Sequence, residues 1–175
     1  GANLSSSSLI EVNLTTVDLT GADLSKADLT GADLSNVILS ETDLSYAVLS
    51  SVRMTRANLS GTRLIGADLS GADLSFVNLS CAQLTGANLS GTCLGEANLS
   101  RAMLVRADLR DSYLIDLNAY EPSDGTLNLD EADLTGANLA GAHLFGASLC
   151  GAVLIDANMV GTNLISANMS DALLS

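Results

Sequence analysis

The chain has one histidine, one proline and no tryptophan, and aromatic residues make up only 3% of its 175 positions. Few aromatics mean that any core must be aliphatic, and Phe76 and Phe145 stand outside the positions where the hydrophobic residues recur. With a single histidine, His143, and no carboxylate or hydroxyl nucleophile at a catalytic spacing from it, the expectation is a non-enzymatic chain with no cofactor. Bases are scarce as well: seven Lys and Arg against twenty Asp and Glu leave a net charge of −13. Clustered bases are what phosphate contacts need, so direct binding of nucleic acid is disfavoured. No apolar run approaches the 18 residues of a membrane span, so membrane insertion is not expected. No charged-then-apolar leader is visible, and the first residue, Gly1, is compatible with a trimmed start. Cys81, Cys93 and Cys150 are odd in number and lack zinc-site spacing, which weakly favours a reducing, cytoplasmic compartment.

What the sequence has in abundance is periodicity. Leu or Met stands at every fifth position from Leu4 to Leu114 and from Leu129 to Leu174, at 33 of 35 possible centres. Alanine stands two places earlier in 21 of those blocks. Typical blocks read Gly21-Ala22-Asp23-Leu24-Ser25 and Gly71-Ala72-Asp73-Leu74-Ser75. A period of five gives no single face on an α-helix, and on a continuous strand it would send successive leucines to opposite sides. Within a block, however, the small residue and the leucine are two apart and point the same way. Each block therefore reads as a three-residue strand with its small residue and leucine inward and its Asp or Asn outward. The next two positions, rich in Ser, Thr and Gly, turn a corner. Repeating strand and corner winds a solenoid with a leucine interior. The leucine-rich repeat, with its longer and uneven period, does not fit.

On these residues the chain resembles the pentapeptide repeat family, whose motif is A(D/N)LXX and whose members are common in cyanobacteria. The resemblance implies an all-β fold: a right-handed quadrilateral parallel β-helix with four pentapeptides per coil. Residues twenty apart would then stack at ~4.8 Å, making a rod of about nine coils and roughly 40 Å. It also implies two kinds of role. One is a protein-interaction scaffold. The other is an acidic mimic of duplex DNA that inhibits DNA gyrase, although this chain lacks the central phenylalanines and helical C-terminal cap common in such inhibitors.

The pattern breaks once. Its column fails at Ala119 and Asp124, in a stretch holding Pro122, so residues 117–127 read as a loop or distorted coil between repeat blocks 1–116 and 128–175, or as a junction of two blocks. Asn58, Asn78, Asn98, Asn118, Asn138 and Asn158 are twenty apart and would form one ladder if the coil count held, which slightly favours the distorted coil. Tyr120, Glu121, Pro122, Ser123, Asp124 and Gly125 form a candidate interaction loop. Asp18, Asp23, Asp28, Asp33 and Asp43 form a candidate acidic face for a basic protein partner. A shared calcium site is not expected, because Arg63 follows Asp43 in its column and Val48 separates Asp28 from Asp68. Threonines such as Thr15, Thr30 and Thr85 are too scattered for an ice-binding array. Both ends already follow the repeat, so end-to-end homo-association is a further expectation.

Overall fold

The computed structural model describes residues 1–113 and 127–174. Parallel pairings join each outward residue to the one twenty further on, as in Asp23–Asp43, Asn58–Asn78 and Asp68–Asn88. Twenty residues are four pentapeptides, so the outward residues stand in four columns, named here first to fourth face from Asn3, Ser8, Asn13 and Asp18. The interior holds stacked Leu and Ala with occasional Val and Met54, and residues from Ala22 to Leu154 at these positions are almost wholly buried. No aromatic side chain enters this core among the described residues.

The ladder accounts for nearly every backbone donor of a block. In the block around Leu24, its N–H donates to Asp43 on the next coil (2.7 Å), and Asp43 N–H donates back to Ala22 (2.9 Å). At the corner, Lys26 N–H donates to the Ser45 carbonyl (2.9 Å), and Ala27 N–H closes the turn onto Leu24 (3.1 Å). One donor per block, that of the first corner residue, finds no backbone acceptor. The outward Asp or Asn supplies it. At all 20 described outward Asp and Asn residues, Oδ1 accepts the N–H of the residue two further on, at 2.9 to 3.3 Å. In many blocks the Ser or Thr hydroxyl at that corner donates to the same oxygen, as Thr20 does to Asp18 at 2.6 Å. The outward polar residue is therefore a side-chain clip on the corner, a role that its mere exposure did not reveal.

The second corner residue adopts positive φ in every described block. Nineteen non-glycine residues do so, including Ser51 (φ 56) and Phe76 (φ 60). This left-handed turn explains the frequent glycine there, such as Gly21 (φ 63).

Across the gap the register changes. Asn98 pairs with Asn128, Met103 with Asp133 and Asp108 with Asn138, thirty residues apart instead of twenty. The expected single asparagine ladder is thus corrected. Asn58, Asn78, Asn98 and Asn128 share the fourth face, whereas Asn138 and Asn158 stack on the second above Asp108. A constant twenty-residue spacing across the interruption does not hold, because the described residues on either side pair thirty apart. Leu127, expected at the end of the interruption, is already buried core; residues 117–126 lie outside the described residues.

Two substitutions test these corners. Asn98→Ala removes a clip and is expected to lower stability by about 1 kcal/mol, whereas Gln83→Ala, at an outward position without one, leaves it nearly unchanged in urea titration. Ser51→Gly relieves a left-handed corner in mid-rod and is expected to raise stability by about 0.5 to 1 kcal/mol in the same titration.

Candidate interaction surface

The four columns decide what the surface can present. The first face runs Asn3, Asp23, Asp43, Arg63, Gln83, Met103, Asp133, Val153, Leu173. The fourth carries Asp18 and Ile38, then only Asn and Ser. Of the five acids expected to share a face, Asp23 and Asp43 do pair, but Asp18, Asp28 and Asp33 fall on the fourth, second and third faces. The candidate acidic face is therefore corrected to a collar of carboxylates around the first coils. It scatters because consecutive blocks are a quarter-coil apart, so acids five residues apart cannot line up. The candidate loop, Tyr120 to Gly125, lies outside the described residues.

Bases sit directly above acids. Arg53 stacks over Asp33 and Arg63 over Asp43, with nitrogen–oxygen distances of 3.8 and 3.9 Å. Arg101 binds Glu131 and Arg110 binds Asp108, both at 2.7 Å. All four pairs are largely solvated and contribute little to stability. Their effect on the surface is to interrupt the negative columns in mid-rod. Arg56 lies over the Phe76 ring at 4.6 Å on the next coil, an exposed cation–π pair at a corner.

His143 stands exposed on the third face, paired with Asn163. Among the described residues, no cluster of three His, Cys, Asp or Glu could hold a metal ion. Cys81 is exposed, Cys150 half-buried and Cys93 buried, although it occupies an outward position. Its sulfur lies 3.0 Å from the Ser75 hydroxyl, which itself donates to Asp73. Among the described residues, no helix is long and apolar enough to cross a membrane.

The clips also set the electrostatics of the collar. Hydroxyl donation from Thr20, Thr30 and Ser35, reinforced by the backbone N–H of the same residues, holds the carboxyls of Asp18, Asp28 and Asp33 below the usual carboxylate range. Sequence reasoning placed these acids outward but missed their donors. The signal was the Ser or Thr two places after each one.

Compared with known proteins, a model of pentapeptide repeats (8 copies) matches residues 1–36, 24–61, 53–91, 92–120 and 132–171. HetL, a pentapeptide repeat protein involved in heterocyst differentiation regulation in the cyanobacterium Nostoc, is 31% identical. That comparison covers 98% of this chain and 88% of HetL, with a TM-score of 0.62. QnrB1, a plasmid-mediated fluoroquinolone resistance protein solved after trypsin treatment, is 16% identical over 96% of this chain and 89% of its own, with a TM-score of 0.66. At that identity the likeness to QnrB1 is one of fold alone. No curated protein matches. Together the repeats and these likenesses make the solenoid a right-handed β-helix.

The lowered acids predict a pH dependence. A carboxyl whose folded value lies below its unfolded value, near 3.8 here, adds stability that is complete above that pH and lost as the pH falls through the folded value. The melting temperature is expected to drop on acidification below about pH 4. The triple variant Asp18→Asn, Asp28→Asn, Asp33→Asn keeps the clips without the titration and should show a shallower drop.

Proposed function

The chain belongs to the pentapeptide repeat family, and from that premise we propose that it is a non-enzymatic scaffold that presents a patterned rod surface to another protein. We read the rod as quadrilateral and continuous, with blocks 1–116 and 128–175 interrupted at 117–127. On this reading, pairings twenty residues apart, and thirty across the interruption, correspond to a little over eight coils instead of about nine.

One observation carries this reading. Outward residues released from the corner clip gather on two faces. The first face has Arg63, Gln83, Met103, Val153 and Leu173, and the third has Arg53, Cys93 and His143. The second is released only at Ser8 and Val48, and the fourth only at Ile38 and Ser148. Two faces thus repeat what the backbone requires, and the two between them carry chemical variety along the rod. Variety at positions the fold leaves free is what partner recognition needs. That HetL is a regulatory protein of the same family accords with a binding role.

The second reading is an acidic DNA mimic acting on DNA gyrase. Net charge favours it, but the placement of the charge does not. Nine of the twenty acids (Asp18, Asp23, Asp28, Asp33, Asp43, Asp68, Asp73, Asp108 and Asp133) are corner clips, and Arg53 and Arg63 break their columns. Much of the acidity is thereby tied to the corners instead of being arranged as a phosphate row.

Supercoiling by purified gyrase, titrated with the protein at two salt concentrations, separates the readings. The scaffold reading expects no inhibition at micromolar protein; salt-sensitive inhibition at or below that level overturns it. In cells of the source organism, proximity labelling by the native rod should recover a protein that is lost with Arg63→Asn, Gln83→Asn, Met103→Asn and retained with Val48→Asn. An unchanged set with the first variant would reject the first face as the contact.

A further inference from the structure

The first corner residue is Ser or Thr in most blocks up to Ser100, but six consecutive corners from 140 to 165 read Ala140, Phe145, Cys150, Ile155, Val160 and Ile165. The backbone does not ask for this change. Ala140, Val160 and Ile165 still donate their N–H to Asn138, Asn158 and Asn163, so the corner closes as elsewhere while the apolar side chain projects outward. Phe145 is 56% exposed, Val160 76% and Ile165 66%. These three occupy the two corners that flank the third face, on either side of His143 and Asn163.

Charge in the same coils is segregated. The described acids beyond the gap are Asp130, Glu131, Asp133, Asp156 and Asp171, and all lie on the first face or the two corners beside it. The third face, two faces round the coil from them, has neither acid nor base there; Asp111, one coil earlier, borders it. A basic partner would be drawn to a charged rim, and this strip has none. Two copies of a chain with net charge −13 repel one another over most of their surface. Here they could meet with their nearest acids turned away, and a two-fold axis would set apolar strip against identical apolar strip.

We propose that the strip formed by Phe145, Val160 and Ile165 around His143 is a docking surface for a second copy of this chain, giving a lateral dimer through the C-terminal coils. The inference does not depend on which partner the rest of the rod binds.

Sedimentation equilibrium of the full chain over a wide concentration range tests it. The mass should rise towards two chains, and no further. Phe145→Ser, Val160→Thr, Ile165→Thr restores the usual corner residues, so the fold is kept and the same melting transition serves as its check. Each truncation should weaken self-association by roughly tenfold or more. Ile155→Thr, exposed on the acidic side, should behave as the native chain. His143→Asp places two carboxylates in the contact, so the dimer should be lost at low salt and recovered at high salt. A single-chain mass at every concentration overturns the proposal. So does a dimer unaffected by the triple variant or by His143→Asp, or a growth past two chains that would mark end-to-end stacking.

Discussion

One backbone donor per pentapeptide governs this molecule. Stacking between coils pairs three of a block's five N–H groups with carbonyls, the turn itself pairs a fourth, and the fifth, on the first corner residue, is left over. An aspartate or asparagine two residues earlier reaches it without strain, and every described one does. The familiar polar letter of the motif is thus a backbone requirement before it is a surface property. The hydroxyl that follows gives the same oxygen a second donor, which explains why serine and threonine fill a corner position that solvent alone would not specify.

The second corner residue imposes the complementary demand. Its N–H must reach the carbonyl of the next coil's corner, as Tyr46 does to Ile65 at 2.9 Å, and that geometry forces φ to about 60°. Tyrosine, phenylalanine, arginine and glutamate all accept the left-handed conformation here, although each would avoid it in isolation by about 1 kcal/mol. They tolerate it because the coils above and below fix the turn, so the strain is offset collectively and not at each site. Large side chains at these corners are then displayed on a rigid mount, with Phe76 beneath Arg56 as one result.

The period of five made the strand, the corner, the aliphatic core and the resemblance to the family legible, since each follows from which side a residue two or five positions away must face. The register across the gap was not legible. Both sides keep the five-residue phase, so twenty-residue and thirty-residue spacings look alike in sequence, and only the pairing of Asn98 with Asn128 separates them. The acidic collar failed as a face for a related reason. Asp18, Asp23, Asp28 and Asp33 are neighbours in sequence, but each corner turns the next one onto a different side. Cys93 stands in an outward column and is nonetheless buried, its sulfur against the Ser75 hydroxyl.

Composition in such a rod therefore misleads unless each residue is first assigned to the backbone or released from it. Asp68 and Asn88 close corners, and their charge or neutrality says little about partners. Arg63, Met103 and His143 close none, so nothing in the ladder explains them. The same division applies at the corners, where Thr135 completes a clip and Phe145, two blocks later, does not. Net charge follows this logic as well, since a large part of the −13 consists of carboxylates bound to their own backbone. What remains for recognition is a sparse set of residues on the first and third faces, held at coil spacing by a backbone that has no other use for them.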